Sequence, residues 1–118
     1  MCKADICQTV ADFGNAAKNA MNAGFDGVQI QANFLYLIAQ FLNSATNHRT
    51  DEYGGSTENR ARILFEIAEA VLRYVEPGRV SSQKLDEIRS ALRELGLRHT
   101  RSTVVAYLSS SRIVAVGF

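Results

Sequence analysis

Between Ser56 and Val75, apolar side chains return at Leu64, Ile67, Ala68, Val71, Leu72 and Val75, a spacing of 3, 1, 3, 1 and 3 that follows one face of an α-helix. A stripe this regular has to be buried, so the rest of the chain must supply a layer for it to lie on. Ser56 is the predicted N-cap of this helix and Pro77-Gly78 its end. A second helix is predicted from Val10 to Ala23, where Val10, Phe13, Ala17, Ala20 and Met21 share a face, Asp12 serves as the cap and Gly24 as the stop. Between the two helices, Phe25 to Gln31 alternates Val28 and Ile30 with Gln29 and Gln31, the pattern of a pleated strand. Leu35 to Leu42 is short and apolar on most sides; periodicity leaves helix or strand open, and one or two helical turns are preferred. Asn43 to Gly55 reads as a loop.

Helix, strand, loop and helix in that order is the grammar of a parallel sheet or barrel, in which function gathers at the carboxyl ends of strands. Here that end is Gln31 to Tyr36. With 118 residues, 47% hydrophobic and 21% charged, the chain has the balance of one globular domain. A formal net charge of +1 gives no bulk attraction to nucleic acid or to an anionic membrane. Arg93, Arg98, His99 and Arg101 form a local basic group, but Glu94 interrupts it and no aromatic residue interleaves before Tyr107, so no nucleic-acid partner is expected. The longest uncharged stretch, Gly27 to His48, carries Gln29, Gln31, Asn33, Gln40 and Asn43, too many amides for a membrane span. The amino-terminal run has no apolar centre of the kind a secretory signal needs, and a cytoplasmic location is expected. Cys2 and Cys7 have no histidine near them and no second cysteine pair, so neither a disulfide framework nor a metal site is expected; His48 and His99 are read as surface residues.

The tail changes character. Up to Val80 there are seven basic and nine acidic residues, and after it six and three. Leu85, Ile88, Leu92 and Leu95 predict a further amphipathic helix over Ser82 to Leu95. Two apolar runs, Thr103 to Leu108 and Ile113 to Phe118, flank Ser109 to Arg112 and are most economically a β-hairpin.

Two stretches carry a resemblance. The segment Ala16-Ala17-Lys18-Asn19-Ala20 through Gly24-Phe25-Asp26-Gly27-Val28 is similar to a helix and strand of the old yellow enzyme family. The run Asn47-His48-Arg49-Thr50-Asp51-Glu52-Tyr53-Gly54-Gly55-Ser56, continuing through Glu58-Asn59-Arg60-Ala61-Arg62, closely resembles that family's most recognisable signature. The likeness extends from Asp12 to Val80. It implies an α/β fold: residues 1–80 as a fragment of a (β/α)8 barrel (helix, strand, helix), and residues 81–118 as a divergent tail of one helix plus a hairpin.

The resemblance also implies a function, the FMN-dependent, NAD(P)H-linked reduction of activated alkenes, with a small enone-type substrate. In the family the strand ends in an acidic residue and a histidine, followed by a histidine or asparagine and then a tyrosine. Those positions fall on Gln29, Gln31, Phe34 and Tyr36. The family's paired donors grip the substrate carbonyl oxygen, flavin N5 gives hydride to the β carbon, and the tyrosine protonates the α carbon. By this count Tyr36 is the catalytic candidate and Gln31 and Phe34 are the substrate-binding positions. Gln31 keeps an amide donor, whereas Phe34 has none to give, and Asn33 stands one place before it. The family would continue past Val80 into a strand bearing a flavin-contacting arginine; here Ser81-Ser82-Gln83-Lys84 follow, and no glycine-rich phosphate motif is present. No cofactor-binding residue is therefore assigned. The loop Arg49 to Ser56 is expected to brace the site, with Asp51 or Glu52 paired to Arg60 or Arg62. A second reading remains beside the enzyme: a non-catalytic truncated relative that persists as a small folded module or homo-oligomer, since an incomplete barrel exposes strand edges.

Overall fold

The computed structural model describes residues 1–32 and 36–75, and the backbone of 113–116. In order, these form α1 (Lys3–Asn22), β1 (Gly27–Ile30), α2 (Leu37–Leu42), α3 (Thr57–Val75) and β2 (Ile113–Val116). β1 and β2 pair in parallel, with Gly27 opposite Ile113 and Ile30 opposite Val116. The α/β segment expected from the sequence is present; the predicted helix over 82–95 and the first hairpin arm over 103–108 lie outside the described residues.

The α3 stripe is buried as its spacing requires, from Leu64 through Val75, and it is joined by Ala61, Ile63 and Phe65. Ser56 does cap this helix: its Oγ accepts the Asn59 backbone N–H at 3.2 Å. α1 lies along α3. Gly14 is one point of close approach, because a Cβ there would stand 3.4 Å from the Tyr74 ring and 3.5 Å from Ala70.

The start of α1 differs from expectation. The helix begins at Lys3, and Asp12 sits inside it, accepting a hydrogen bond from Gln8 Nε2 at 2.9 Å. The physical reason is Ile6, which is fully buried and extends the stripe backward to Ile6, Val10, Phe13, Ala17 and Ala20. Asp5 closes the first turn by accepting the Cys2 backbone N–H at 2.8 Å, and that bond holds its carboxyl below the ordinary range. The other end matches: Gly24 follows α1 with φ 93°, the Phe25 N–H reaches Ala20 O at 3.2 Å, and the Gly24 N–H reaches Met21 O at 3.1 Å, the paired bonds of a Schellman turn.

That turn delivers the chain into β1. Val28 and Ile30 are buried among the core residues of α1 and α3, while Gln29 is half-buried on the alternate positions. The strand is shorter than the run from Phe25 to Gln31, because Phe25 and Asp26 still belong to the turn. No helix among the described residues is long and apolar enough to cross a membrane.

Candidate active site

Gln31 follows β1 directly and is half-buried. By strand alternation it continues the Gln29 side of the sheet, opposite the positions that α1 and α3 cover. Phe34, with Asn33 and Leu35, lies outside the described residues. Tyr36 is the N-cap of α2, in extended conformation (φ −80°, ψ 166°), and its backbone oxygen accepts the Gln40 N–H at 3.0 Å. The residue is 50% exposed. The structure thus sets Gln31 just beyond the carboxyl end of β1 and Tyr36, an exposed residue, just before α2.

Six residues make a poor helix alone, since the last carbonyls of any helix have no partner within it. Side chains from the following loop and from α3 fill this need at α2. Thr46 Oγ1 donates to Gln40 O at 2.7 Å, Asn47 Nδ2 to Phe41 O at 2.7 Å, and Arg60 Nε to Leu42 O at 2.9 Å. Ile38 and Phe41 anchor the other side of α2 in the core.

The loop that carries these donors is closely cross-braced. Asn47 Nδ2 also donates to Tyr53 O at 2.8 Å, and its Oδ1 accepts the Arg49 N–H at 3.1 Å. Arg49 reaches Asp51 with two parallel bonds, Nε to Oδ1 at 3.0 Å and Nη2 to Oδ2 at 2.6 Å, and lies 5.9 Å from the centre of the Phe41 ring. This guanidinium, with help from the Tyr53 backbone N–H, lowers the Asp51 pKa to about 2. Tyr53 is buried and its hydroxyl donates to Glu66 at 3.0 Å; burial first, and then the Glu66 carboxylate, push the phenol up to about 12.

The expected pairing of Asp51 or Glu52 with Arg60 or Arg62 is replaced by other partners. Asp51 takes Arg49, two residues away, and Glu52 takes Lys3 at 2.7 Å. Arg60 and Arg62 turn instead to backbone carbonyls, those of Leu42 and Gly55 for Arg60 and that of Glu52 for Arg62. A guanidinium carries five donors, so it can tie a loop whose carbonyls have no sheet or helix to serve. Gly54 and Gly55 have different reasons to be glycine: a Cβ on Gly54 would run into the Arg49 backbone, while Gly55 has φ 86°.

Among the described residues, two hollows flank this framework. One, of about 200 Å³, lies beside α2 between Leu37, Phe41, Asn47 and Arg49; the other, of about 300 Å³, lies between α1 and α3 near Cys7, Tyr53, Glu66 and Arg73. Neither is lined by Gln31 or Tyr36. Sequence reasoning missed Asn47, Arg60 and Tyr53 as organisers of the site. The signal for them was indirect: α2 is too short to satisfy its own carbonyls, and polar side chains had to come from somewhere.

A strand between two packed helices, with polar groups beyond its carboxyl end, is a unit of a parallel α/β sheet or barrel. Comparison with known proteins gives the family. Residues 1–85 match the NADH:flavin oxidoreductase / NADH oxidase family, and the chain belongs to it. It is 49% identical over 80 residues to a probable flavin mononucleotide-dependent alkene reductase of Leishmania infantum, covering 68% of this chain and 22% of that protein. It is 52% identical over 76 residues to 12-oxophytodienoate reductase 2 of Arabidopsis thaliana, covering 64% of this chain and 20% of that protein. The solved structure of the old yellow enzyme homologue from Zymomonas mobilis superposes with a TM-score of 0.62 at 45% identity, over 64% of this chain and 21% of that one. The chain therefore spans about a fifth of the length of the relatives it matches.

Proposed function

We propose that this chain is the substrate-facing segment of an old yellow enzyme-type alkene reductase, FMN-dependent and NAD(P)H-linked, acting on small activated alkenes such as enones. One observation carries the reading: within the family-matched region, Gln31 follows the carboxyl end of a parallel strand and Tyr36 immediately precedes α2. Gln31 offers an amide N–H to the substrate carbonyl oxygen, where negative charge gathers as the alkene is reduced. Tyr36 gives its hydroxyl proton to the α carbon and, as an exposed residue, regains a proton from water. Phe34 is the neighbouring substrate position and contributes an apolar contact in place of a second donor.

The amide and phenol fit the substrate side of a flavin site. The described residues offer no cradle for the flavin phosphate, so we assign no residue to hold FMN. When bound, the flavin supplies hydride chemistry. The proposal extends to a division of the chain at residue 80, a hairpin arm over 103–108, and a cytoplasmic setting, which the free and exposed thiols of Cys2 and Cys7 support.

A second reading, a non-catalytic relative acting as a small folded or oligomeric module, is favoured by Gln31 and Phe34 standing where the family resemblance implies a pair of oxygen-gripping donors. A segment exchange separates the two. Residues 1–75 of this chain replace their counterpart in the Zymomonas mobilis homologue, and FMN content and enone-dependent NADPH oxidation are measured. The catalytic reading expects both to be retained, with turnover reduced by the weaker oxygen grip. FMN retained with turnover abolished would overturn it in favour of the module.

A further inference from the structure

The carbonyls of the last turn of α2 all have donors, but the donors differ in what stands behind them. Ala39 O takes the Asn43 N–H at 3.1 Å, and Gln40 O and Phe41 O take Thr46 and Asn47, all from the chain that leaves the helix. Leu42 O is met from another element: Arg60 lies eighteen residues on, in the first turn of α3. That helix is fixed by its buried stripe, which begins beside Arg60 at Ala61 and Leu64. The other arms of the guanidinium are engaged at the same time, Nη1 with Gly55 O and Nη2 with Thr57 Oγ1 at 3.3 Å. The fork is therefore oriented by α3 and its approach before it reaches α2.

We infer that Arg60 is a positioning residue for proton transfer: through Leu42 O it sets the register of α2 on the core, and so the place of Tyr36 at the other end of that helix. Ile38 and Phe41 hold α2 down by apolar burial, which is non-directional and does not by itself fix how a short helix slides or rolls. A hydrogen bond is directional and supplies what burial lacks. α2 has six residues, a length of about 9 Å, and the Gln40 N–H bond to Tyr36 O at 3.0 Å ties Tyr36 into it. A shift at Leu42 is thus carried to Tyr36. Reaction rates are steep in such shifts, since a misplacement of about 1 Å costs about a hundredfold. The inference rests on the reading of Tyr36 as proton donor.

In the full chain, Arg60→Ala is expected to quicken amide exchange at Gln40 at least about tenfold while Ile67 to Leu72 in α3 stay protected. Unchanged exchange at Gln40 would overturn the inference, because α2 would then be held without Arg60. The second arm uses the enzyme that carries residues 1–75 of this chain, with Arg60→Ala and Tyr36→Phe made singly and together. Arg60→Ala should leave flavin reduction by NADPH unchanged, slow reoxidation by an enone at least about fivefold, and add nothing in the Tyr36→Phe background. Arg60→Lys, which keeps the charge without the fork, should recover part of the rate, and it runs the same cycle if alanine unfolds the protein. No slowing, or equal slowing with and without Tyr36→Phe, would overturn the inference and leave Tyr36 as the donor. An unaltered rate for Tyr36→Phe alone would instead remove the catalytic reading, and this inference with it.

Discussion

Asn47 has both ends of its amide in use, donating to Phe41 O and Tyr53 O and accepting from the Arg49 N–H. Asn47→Ala leaves two half-buried carbonyls without donors, and the expected loss is about 1–3 kcal/mol in urea denaturation. Asn47→Asp should be no better, because it keeps the acceptor but turns an anion toward two carbonyl oxygens. The Arg49–Asp51 pair gives a pH dependence. The folded state holds Asp51 at about 2, below its ordinary 3.8, so its contribution is complete above the ordinary value and is lost as pH falls through about 2. Stability followed by acid titration should therefore decline between these values, and Asp51→Asn should make that decline shallower. At Gly55 an alanine costs about 1–2 kcal/mol for the left-handed backbone alone; Gly54→Ala should cost more, since the Arg49 backbone must move.

At the scale of elements, periodicity is legible when an apolar stripe recurs through many turns, and α3 is such a case. The amino-terminal half of α1 was harder to read, because Cys2 is an unusual cap and Asp12, a residue that often caps, stands within the helix. Only Ile6 betrays the extra turns. Ile6→Ala is accordingly expected to cost about 2–5 kcal/mol in thermal or urea unfolding, whereas a helix that began at Val10 would predict almost none. Leu64→Asp or Val71→Asp should prevent folding by placing an unpaired charge in the core. That Gln31 would follow β1 was legible from strand alternation, whereas Tyr36 was singled out by family resemblance alone. The grip on α2 was not, because Asn47 reaches back six residues and Arg60 eighteen, to carbonyls that every residue type possesses.

For the whole molecule, the parts form one dependency. α1 and α3 bury β1, β1 carries Gln31 to its carboxyl end, and the braced loop fixes the short helix that Tyr36 begins. This segment corresponds to about a fifth of its relatives' length, so its chemistry is most directly read inside a full barrel. The decisive measurement is the rate at which an enone reoxidises reduced flavin in a single turnover of the exchanged enzyme, with and without Tyr36→Phe. The account predicts a fall of at least tenfold in that rate with FMN affinity unchanged. An equal rate in the two proteins would remove Tyr36 from proton transfer and contradict the catalytic reading.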